Sequence, residues 1–572
     1  MASRTGGIFA CSASLPENSG GLSAVSPTLQ ALGLFALALL VRLLGNASQP
    51  VHVDEFYHLL AGQSWADHGR LSILDGVYTR ARGYTMLTGL VFLALDHSSM
   101  FIARIPSLLS GALLVPAVFL WTRRTFSLRV AWIAGLLLCF ADIALEVSQF
   151  ARFYALHALF VWFGSVAVYR ALEPRRSLRA AFLSLGWSAI CFLIALHLQV
   201  TTVIHVAGVG VFVAGVLATR PPIRGILEER RYWPWLAAAA LLLVVIGFVA
   251  MRNFSIVERF RDTSYWALES KDDVLFYLQI FLDRLLILSL LLPLALWLVV
   301  VRRWRAGLFC LALFIVPFVA HSLAGMKSFR YLFYALPFFF ILTAVAIDFL
   351  LAKLTQGLAS LMAGWGERHG GALGPPALAT IIGSAAFLAG AAAIVGNRAE
   401  AHGLKRLAVD AYRVARAPAS LFAEPPDKPW TKVSPNWSAV IGSPSLLVVA
   451  DDVRTLHYLG RPFDVLINRS RITDISPAVE FGRDFRTGRR VIGQGRTLAR
   501  VASCYADGVI VVPDDRWAFD FAVPANVTRA IERIAAPIQP GVKGFHLYRW
   551  QHPVHGEDCA EIRAEIASHS AS

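Results

Sequence analysis

The stretch His52-Val53-Asp54-Glu55-Phe56-Tyr57-His58 sets two carboxylates side by side with a histidine on either flank, where the chain leaves its first strongly apolar segment. Adjacent acids repel each other and gain nothing from burial unless a charged or hydroxylated group meets them. The bland alternative is a solvated loop whose acids sit at the start of a helix. Further polar residues gather at the ends of other apolar segments. Asp142 and Glu146 are four apart and share a helix face, and Gln149, Arg152 and Tyr154 follow them. His197, Gln199 and His205 form another set, and His321, Lys327, Arg330 and Tyr331 a third. Ionisable groups at membrane depth are costly and usually face a cavity. Lys327 and Arg330, with Arg152 and Arg82, suit an anionic partner such as a phosphate; they equally suit anchoring among lipid headgroups.

The elements that must position these residues are membrane helices. Of the 572 residues, 56% are hydrophobic and 16% charged, and the mean hydropathy is +0.57. A soluble domain carries about a quarter charged residues, and the deficit here comes from long apolar runs, so the chain reads as a polytopic α-helical membrane protein. Its 53 Lys and Arg against 38 Asp and Glu give a net charge of +15. In a membrane protein that excess belongs first to cytoplasmic loops, and no nucleic-acid motif accompanies it.

About eleven spans are expected, at roughly 30–46, 104–122, 128–147, 155–172, 180–197, 200–219, 233–251, 284–301, 306–323, 331–352 and 375–396. Every even-numbered exit is basic: Arg123 and Arg124; Arg170, Arg175, Arg176 and Arg179; Arg220, Arg224, Arg230 and Arg231; Arg302, Arg303 and Arg305; Lys353 and Arg368. Those loops are therefore expected inside, and the Asp54-Glu55 stretch outside in a first outer loop over 47–103. The apolar run from Gly83 to Leu95 is too short to span and is expected to lie in the interface or re-enter the bundle. Residues 1–29 are polar and are expected to be disordered and cytoplasmic.

Residues 397–572 have the composition of a soluble domain. Strand-like runs at Ser445–Ala450, Gly508–Val512 and Phe545–Trp550 alternate with helical stretches at Val453–Leu459 and Val527–Ile534, which predicts a small extracytoplasmic α/β domain. Cys504 and Cys559 both fall in it, and sequence alone leaves open whether they pair. Cys139, Cys191 and Cys310 fall in helices.

Three motifs stand in order on one expected side: Asp54-Glu55 in the first outer loop, Gln149-Phe150-Ala151-Arg152-Phe153-Tyr154, and Lys327-Ser328-Phe329-Arg330-Tyr331 with Pro337. Together they resemble the GT-C superfamily of membrane glycosyltransferases, nearest in pattern to the bacterial protein O-mannosyltransferase and aminoarabinose transferase type, over about residues 30–350. The resemblance implies a GT-C-like catalytic domain over 30–396, a donor sugar carried on a polyprenyl phosphate in the bilayer, and transfer with inversion to a hydroxyl of a glycolipid, lipopolysaccharide or protein. It makes Asp54 the base that takes the acceptor proton, and Lys327, Arg330 and Arg152 or Arg82 the groups that hold the leaving phosphate. Glu55, His52 and His58 would orient Asp54 or hold a divalent metal ion. His58, Glu146, Tyr154, His197, His321 and Tyr331 would line or support the acceptor site. The second outer loop departs from some relatives, offering Glu146 and Gln149 in place of an obvious Asp motif, which leaves metal use open. The same resemblance implies a bacterial inner membrane with the site facing the periplasm. A polytopic lipid or sugar transporter or flippase is the competing reading, although transporters set their sites near the midplane, often in repeated halves. A ligand-binding sensor would account for the C-terminal domain but not for the polar cluster.

Overall fold

The computed structural model describes residues 25–219, 233, 272–369 and 398–568, except 175, 303, 434–436, 451, 469–480, 520–521 and 557. The first helix, α1 (Pro27–Asn46), starts where the Ser26 side chain accepts from Leu29 N and Pro27 fixes the first turn. After it come α2 (Val53–His68), a short hairpin of β1 (Ser72–Ile73) and β2 (Gly76–Val77), and α3 (Arg82–Leu95). Helices α4 (Met100–Thr125) and α5 (Leu128–Phe140) are each opened by a serine cap, Ser99 and Ser127. The remainder of the helical part comprises α6 (Asp142–Ser148), α7 (Tyr154–Ala171), α8 (Leu178–Leu198), α9 (Thr202–Thr219), α10 (Phe276–Arg284), α11 (Leu286–Arg302), α12 (Arg305–Leu323), a 3₁₀ turn (Phe329–Ala335) and α13 (Leu336–His369). Helix α4 is central, packing against α1, α3, α5 and α7.

Among the described residues five helices are long and apolar enough to cross a membrane: α1, α4, α8, α12 and the run Phe329–Gly357. Two bent pairs, α5 with α6 at 58° and α10 with α11 at 111°, raise that number to seven. The chain is a multi-pass membrane protein. Two of the eleven expected spans, 233–251 and 375–396, lie outside the described residues, as do Arg220, Arg224, Arg230 and Arg231. The third expected span is not one straight helix. Ala141 takes a non-helical conformation, with φ −58° and ψ 124°, and the chain turns aside there so that Asp142 opens a separate short helix. Helix α3 has 14 residues, about 21 Å of rise, short of a bilayer core; it packs on α2 and α4.

Helix α14 (Arg398–Arg416) leads to a seven-stranded sheet of order β5-β6-β4-β3-β7-β9-β8. Its middle is parallel: β3 (Leu446–Ala450) lies between β4 (Val465–Ile467) and β7 (Asp507–Pro513), with Val448 opposite Val465 on one side and Ile510 on the other. Strands β5 (Gly482–Arg483), β6 (Arg490–Ile492), β8 (Ala536–Pro537) and β9 (Phe545–Gln551) complete it. The all-buried strand β3 is the apolar run that a parallel, two-sided sheet requires. Helices α15 (Arg454–Leu459), α16 (Gly495–Ser503), α17 (Ala525–Ile534) and α18 (Cys559–Ala567) accompany the strands. Cys504 and Cys559 are joined in a disulfide, and Cys139, Cys191 and Cys310 are buried free thiols.

The sheet domain rests on the loop that carries Asp54. Phe56, buried on α2, packs against His457 and Tyr458 of α15 at ring separations of 5.4 and 5.7 Å. The β1–β2 turn meets the β5–β6 turn: Arg489 Nε lies 3.0 Å from Asp75 Oδ2, and Asp75 N donates to Thr487 O at 3.1 Å.

Candidate active site

The two adjacent acids have opposite environments, and the start of α2 explains why. His52 caps the helix: its Nδ1 accepts from Asp54 N at 3.2 Å, while the Glu55 side chain accepts from His52 N at 2.9 Å, closing a capping box. Both acids thus sit in the first turn, where the helix dipole favours negative charge. Successive helical residues point about 100° apart, so the two carboxylates part company. Glu55 turns inward and is fully buried. Arg104 Nε and Nη2 donate to its two oxygens at 2.7 and 2.8 Å, and Ala151 N donates to Oε2 at 2.7 Å. With His52 N, every lone-pair direction of Glu55 is used.

Asp54 turns the other way and keeps 27% of its side chain exposed. Its Oδ2 lies 3.3 Å from Arg152 Nη1 and 3.8 Å from Arg330 Nη1. Arg152 is buried and also donates to the Asp54 carbonyl at 3.2 Å. The guanidinium groups are held by rings: Arg330 lies 4.9 Å from the Phe150 centroid and 5.9 Å from Tyr154, and Arg152 lies 5.4 Å from Phe153 and 5.8 Å from Tyr154. Tyr154 packs in turn against Tyr331 at 6.2 Å. Burial alone would raise the Asp54 carboxyl; Arg152, His52, Arg330 and Arg80 outweigh it and hold it well below the ordinary carboxylate range. The three sequence motifs therefore converge on one ionised, partly open carboxylate between two arginines.

The other expected residues divide by place. His58 is buried between α2 and α3, its Nδ1 2.8 Å from Thr85 Oγ1 and its ring edge-on to Tyr78, Tyr84 and Phe153; burial holds it well below the usual histidine value. His197 Nε2 accepts from Gly83 N at 3.3 Å, tying α8 to the start of α3. His321 is buried in the bundle with Nε2 3.0 Å from Tyr334 Oη. Glu146 joins a separate cluster, in which Arg284 Nη2 bonds both Asp142 and, at 2.7 Å, Glu146. Lys327 Nζ donates to Ala324 O at 2.7 Å, and the acids that act on it are Asp273 and Asp272.

Two arginines of the site were not among the expected residues. Arg104 neutralises Glu55, and Arg80 acts on Asp54, His58 and Tyr331 with its guanidinium 5.9 Å from the Phe153 ring. Arg80 enters the site from the turn before α3, whereas Arg82 is the exposed first residue of that helix. The signal for Arg104 was a charge inside an apolar segment; nothing in the sequence ranks Arg80 above Arg82.

The divalent-ion set Glu55, His52 and His58 does not fit a metal. Glu55 has no free lone pair, His58 is enclosed by Thr85 and Tyr78, and His52 Nδ1 accepts from the backbone. Among the described residues no three His, Cys, Asp or Glu side chains converge as a metal site needs.

No family model and no curated protein matches the chain. Solved structures do. ArnT from Cupriavidus metallidurans, solved in the apo state and bound to undecaprenyl phosphate, aligns over 92% of this chain and 98% of its own, at 16% identity and a TM-score of 0.58. This chain has the fold of ArnT. It is a GT-C fold, as the three motifs implied. The archaeal oligosaccharyltransferase AglB from Archaeoglobus fulgidus, solved with an inhibitory peptide and a dolichol-phosphate, aligns over 73% of this chain and 58% of its own, at 13% identity and a TM-score of 0.43, too distant to bear on the fold.

Proposed function

We propose that this protein is a glycosyltransferase that moves a sugar from a polyprenyl-phosphate donor to a hydroxyl of a glycolipid, lipopolysaccharide or protein, at the outer face of a bacterial inner membrane. One observation carries the reading: Asp54, ionised and partly open, stands between Arg152 and Arg330 at one end of a membrane-helix bundle. A lone acid there would serve a base; two arginines beside it serve a lipid-soluble phosphate. The likeness to ArnT, whose structure binds undecaprenyl phosphate, supports that donor class.

In this reading the donor phosphate takes a share of Arg152, Arg330 and Arg80. Sharing weakens their hold on Asp54, so the carboxylate becomes a better base when the donor is in place. The acceptor oxygen attacks the anomeric carbon opposite the phosphate, Asp54 receives the hydroxyl proton, and the bond from carbon to phosphate oxygen breaks. The charge left on the polyprenyl phosphate stays with the arginines, and the anomeric centre is inverted. Lys327 and Arg82 are further donor-site candidates, and Tyr154 and Tyr331 with His197, His321 and Glu146 are candidates for supporting the acceptor. Glu55 and His58 position Asp54 by fixing α2. Residues 30–396 would be the catalytic membrane domain and 397–572 an extracytoplasmic domain.

The test is transfer of labelled sugar from a set of polyprenyl-phosphate sugars by the full-length protein in lipid nanodiscs, with Asp54→Asn as control. Transfer that the control lacks supports the reading; donor binding without transfer by the native protein points to a carrier and refutes it.

A further inference from the structure

Helix α14 is amphipathic inside out. On the surface of a water-soluble domain a helix turns its charged side chains to solvent and its apolar ones to the core. Over residues 405–416 the arrangement is reversed. Arg406, Asp410 and Arg413 lie on the side turned into the protein. Arg406 Nη1 donates to Gln49 Oε1 at 2.7 Å and Nη2 to Gln149 Oε1 at 3.4 Å. Asp410 is buried, accepting from Ser48 Oγ at 2.6 Å, and Arg413 pairs with it at 3.1 Å. The opposite face consists of Ala408, Val409, Tyr412 and Ala415, three and four apart, and all are exposed. Val409 and Tyr412 show 57% and 59% of their surface, and Phe422, in the 3₁₀ turn that follows, shows 64%. Lys405 and Arg416 stand exposed at the two ends, with the Arg416 guanidinium 4.7 Å from the Tyr412 ring.

One exposed apolar side chain needs no explanation. A continuous apolar face kept outward while three charged residues are turned inward does. The helix runs beside the end of the span α1 and touches α6 and α10, so its exposed face stands beside the ends of membrane helices. Phe422 meets Phe101, at the start of the span α4, edge to face with ring centroids 5.7 Å apart. The chemistry of the face, with small apolar residues, a tyrosine and flanking cations, matches the boundary between acyl chains and phosphate headgroups.

We propose that α14 lies in the plane of the membrane, with Ala408, Val409, Tyr412, Ala415 and Phe422 in the lipid interface and Lys405 and Arg416 on anionic headgroups, in the leaflet on the Asp54 side. Its inward face holds Gln49 and Gln149, which border the Asp54 and Arg152 segments, so the lipid surface fixes the height of both.

The experiment uses the full-length protein in phosphatidylglycerol-containing nanodiscs. In a Cys11→Ser background, nitroxide labels are placed at Val409→Cys, Tyr412→Cys and, as a sheet-domain control, Asp515→Cys. Collision is measured with oxygen, which partitions into lipid, and with a water-soluble nickel chelate. The expected result is oxygen collision exceeding nickel collision at 409 and 412, and the reverse at 515. Nickel-dominated collision at 409 and 412 would put the face in water and overturn the proposal. Low collision with both reagents would also overturn it, by showing a protein surface, such as a second copy, over the face.

Discussion

Asp54 Oδ2 lies 3.3 Å from Arg152 Nη1, while Glu55, its neighbour in sequence, is bonded through both oxygens to Arg104 on a different helix. The same change at the two acids should therefore have different consequences. Asp54→Asn keeps size and removes the proton acceptor, so turnover should fall by about two to four decades with donor binding retained. Glu55→Gln leaves the Arg104 charge buried and unneutralised, a loss of about 3–5 kcal/mol. It should appear first as a lower midpoint of thermal unfolding in detergent, larger than that of Asp54→Asn. Equal midpoints for the two variants would contradict the division of roles.

Arg330→Ala should lower donor turnover by about 30- to 1000-fold, the effect of roughly 2–4 kcal/mol of lost transition-state stabilisation. Arg330→Lys should recover part of it, because an ammonium restores charge without the planar fork. Arg80→Ala should cost more than Arg82→Ala, since only Arg80 acts on Asp54. Steady-state kinetics with a defined donor ranks the four variants; an Arg82 effect exceeding that of Arg80 would reverse the assignment.

The pH dependence follows from directions. Asp54 is depressed below its usual value, so it is ionised throughout pH 5 to 8, and the stability its ion pairs supply is lost only as pH falls through the lowered value. His58 is held well below its usual value, chiefly by burial, and stays neutral in the folded protein over the same range, and burial lowers His52 in the same direction. kcat/KM, which reports groups of the free enzyme, should be flat from pH 8 to 5. Stability should decline below about pH 6.5, where the unfolded chain protonates His58 and the folded chain does not. A kcat/KM that drops tenfold per pH unit between 7 and 5 would show another group in control.

Asp54, Arg152, Arg330, Tyr154 and Tyr331 were legible because each stands in a short polar run at the end of an apolar segment, where burial demands partners. The opposed directions of Asp54 and Glu55 follow from the helical period once the helix start is known, and His52 with Glu55 three residues on marks that start. Glu146 shares a face with Asp142, but the cation both meet is Arg284, 138 residues away from Glu146, and no local pattern reveals that pairing. His58, His197 and His321 drew attention as titratable groups, yet each ties helices together through a hydroxyl or a backbone amide. Strands β3, β7 and β9 read from their β-branched or aromatic runs, whereas β4, β5, β6 and β8, two or three residues each, are too short to leave a pattern. The bends at Ala141 and between Arg284 and Leu286 did not, because hydropathy measures length and not direction.

The coupling of the sheet domain to α2 can be tested at a residue remote from the chemistry. Gly488 sits in the β5–β6 turn with φ +72°, and a Cβ there would lie 2.8 Å from the Asp75 carbonyl carbon. Alanine at this position meets two penalties: the left-handed backbone costs about 1–2 kcal/mol for a residue with a side chain, and the close approach to the β1–β2 turn cannot be kept. Gly488→Ala should push the two turns apart and loosen the Arg489–Asp75 pair, and with it the support of α2, which carries Asp54. Hydrogen exchange of residues 72–77 should quicken, and transfer should slow several-fold with donor affinity unchanged. Arg489→Ala, which removes the ion pair without the clash, should move both readouts the same way by less. Faster exchange at 72–77 with undiminished transfer would show that the domain rests on the first loop without helping to hold α2 for catalysis.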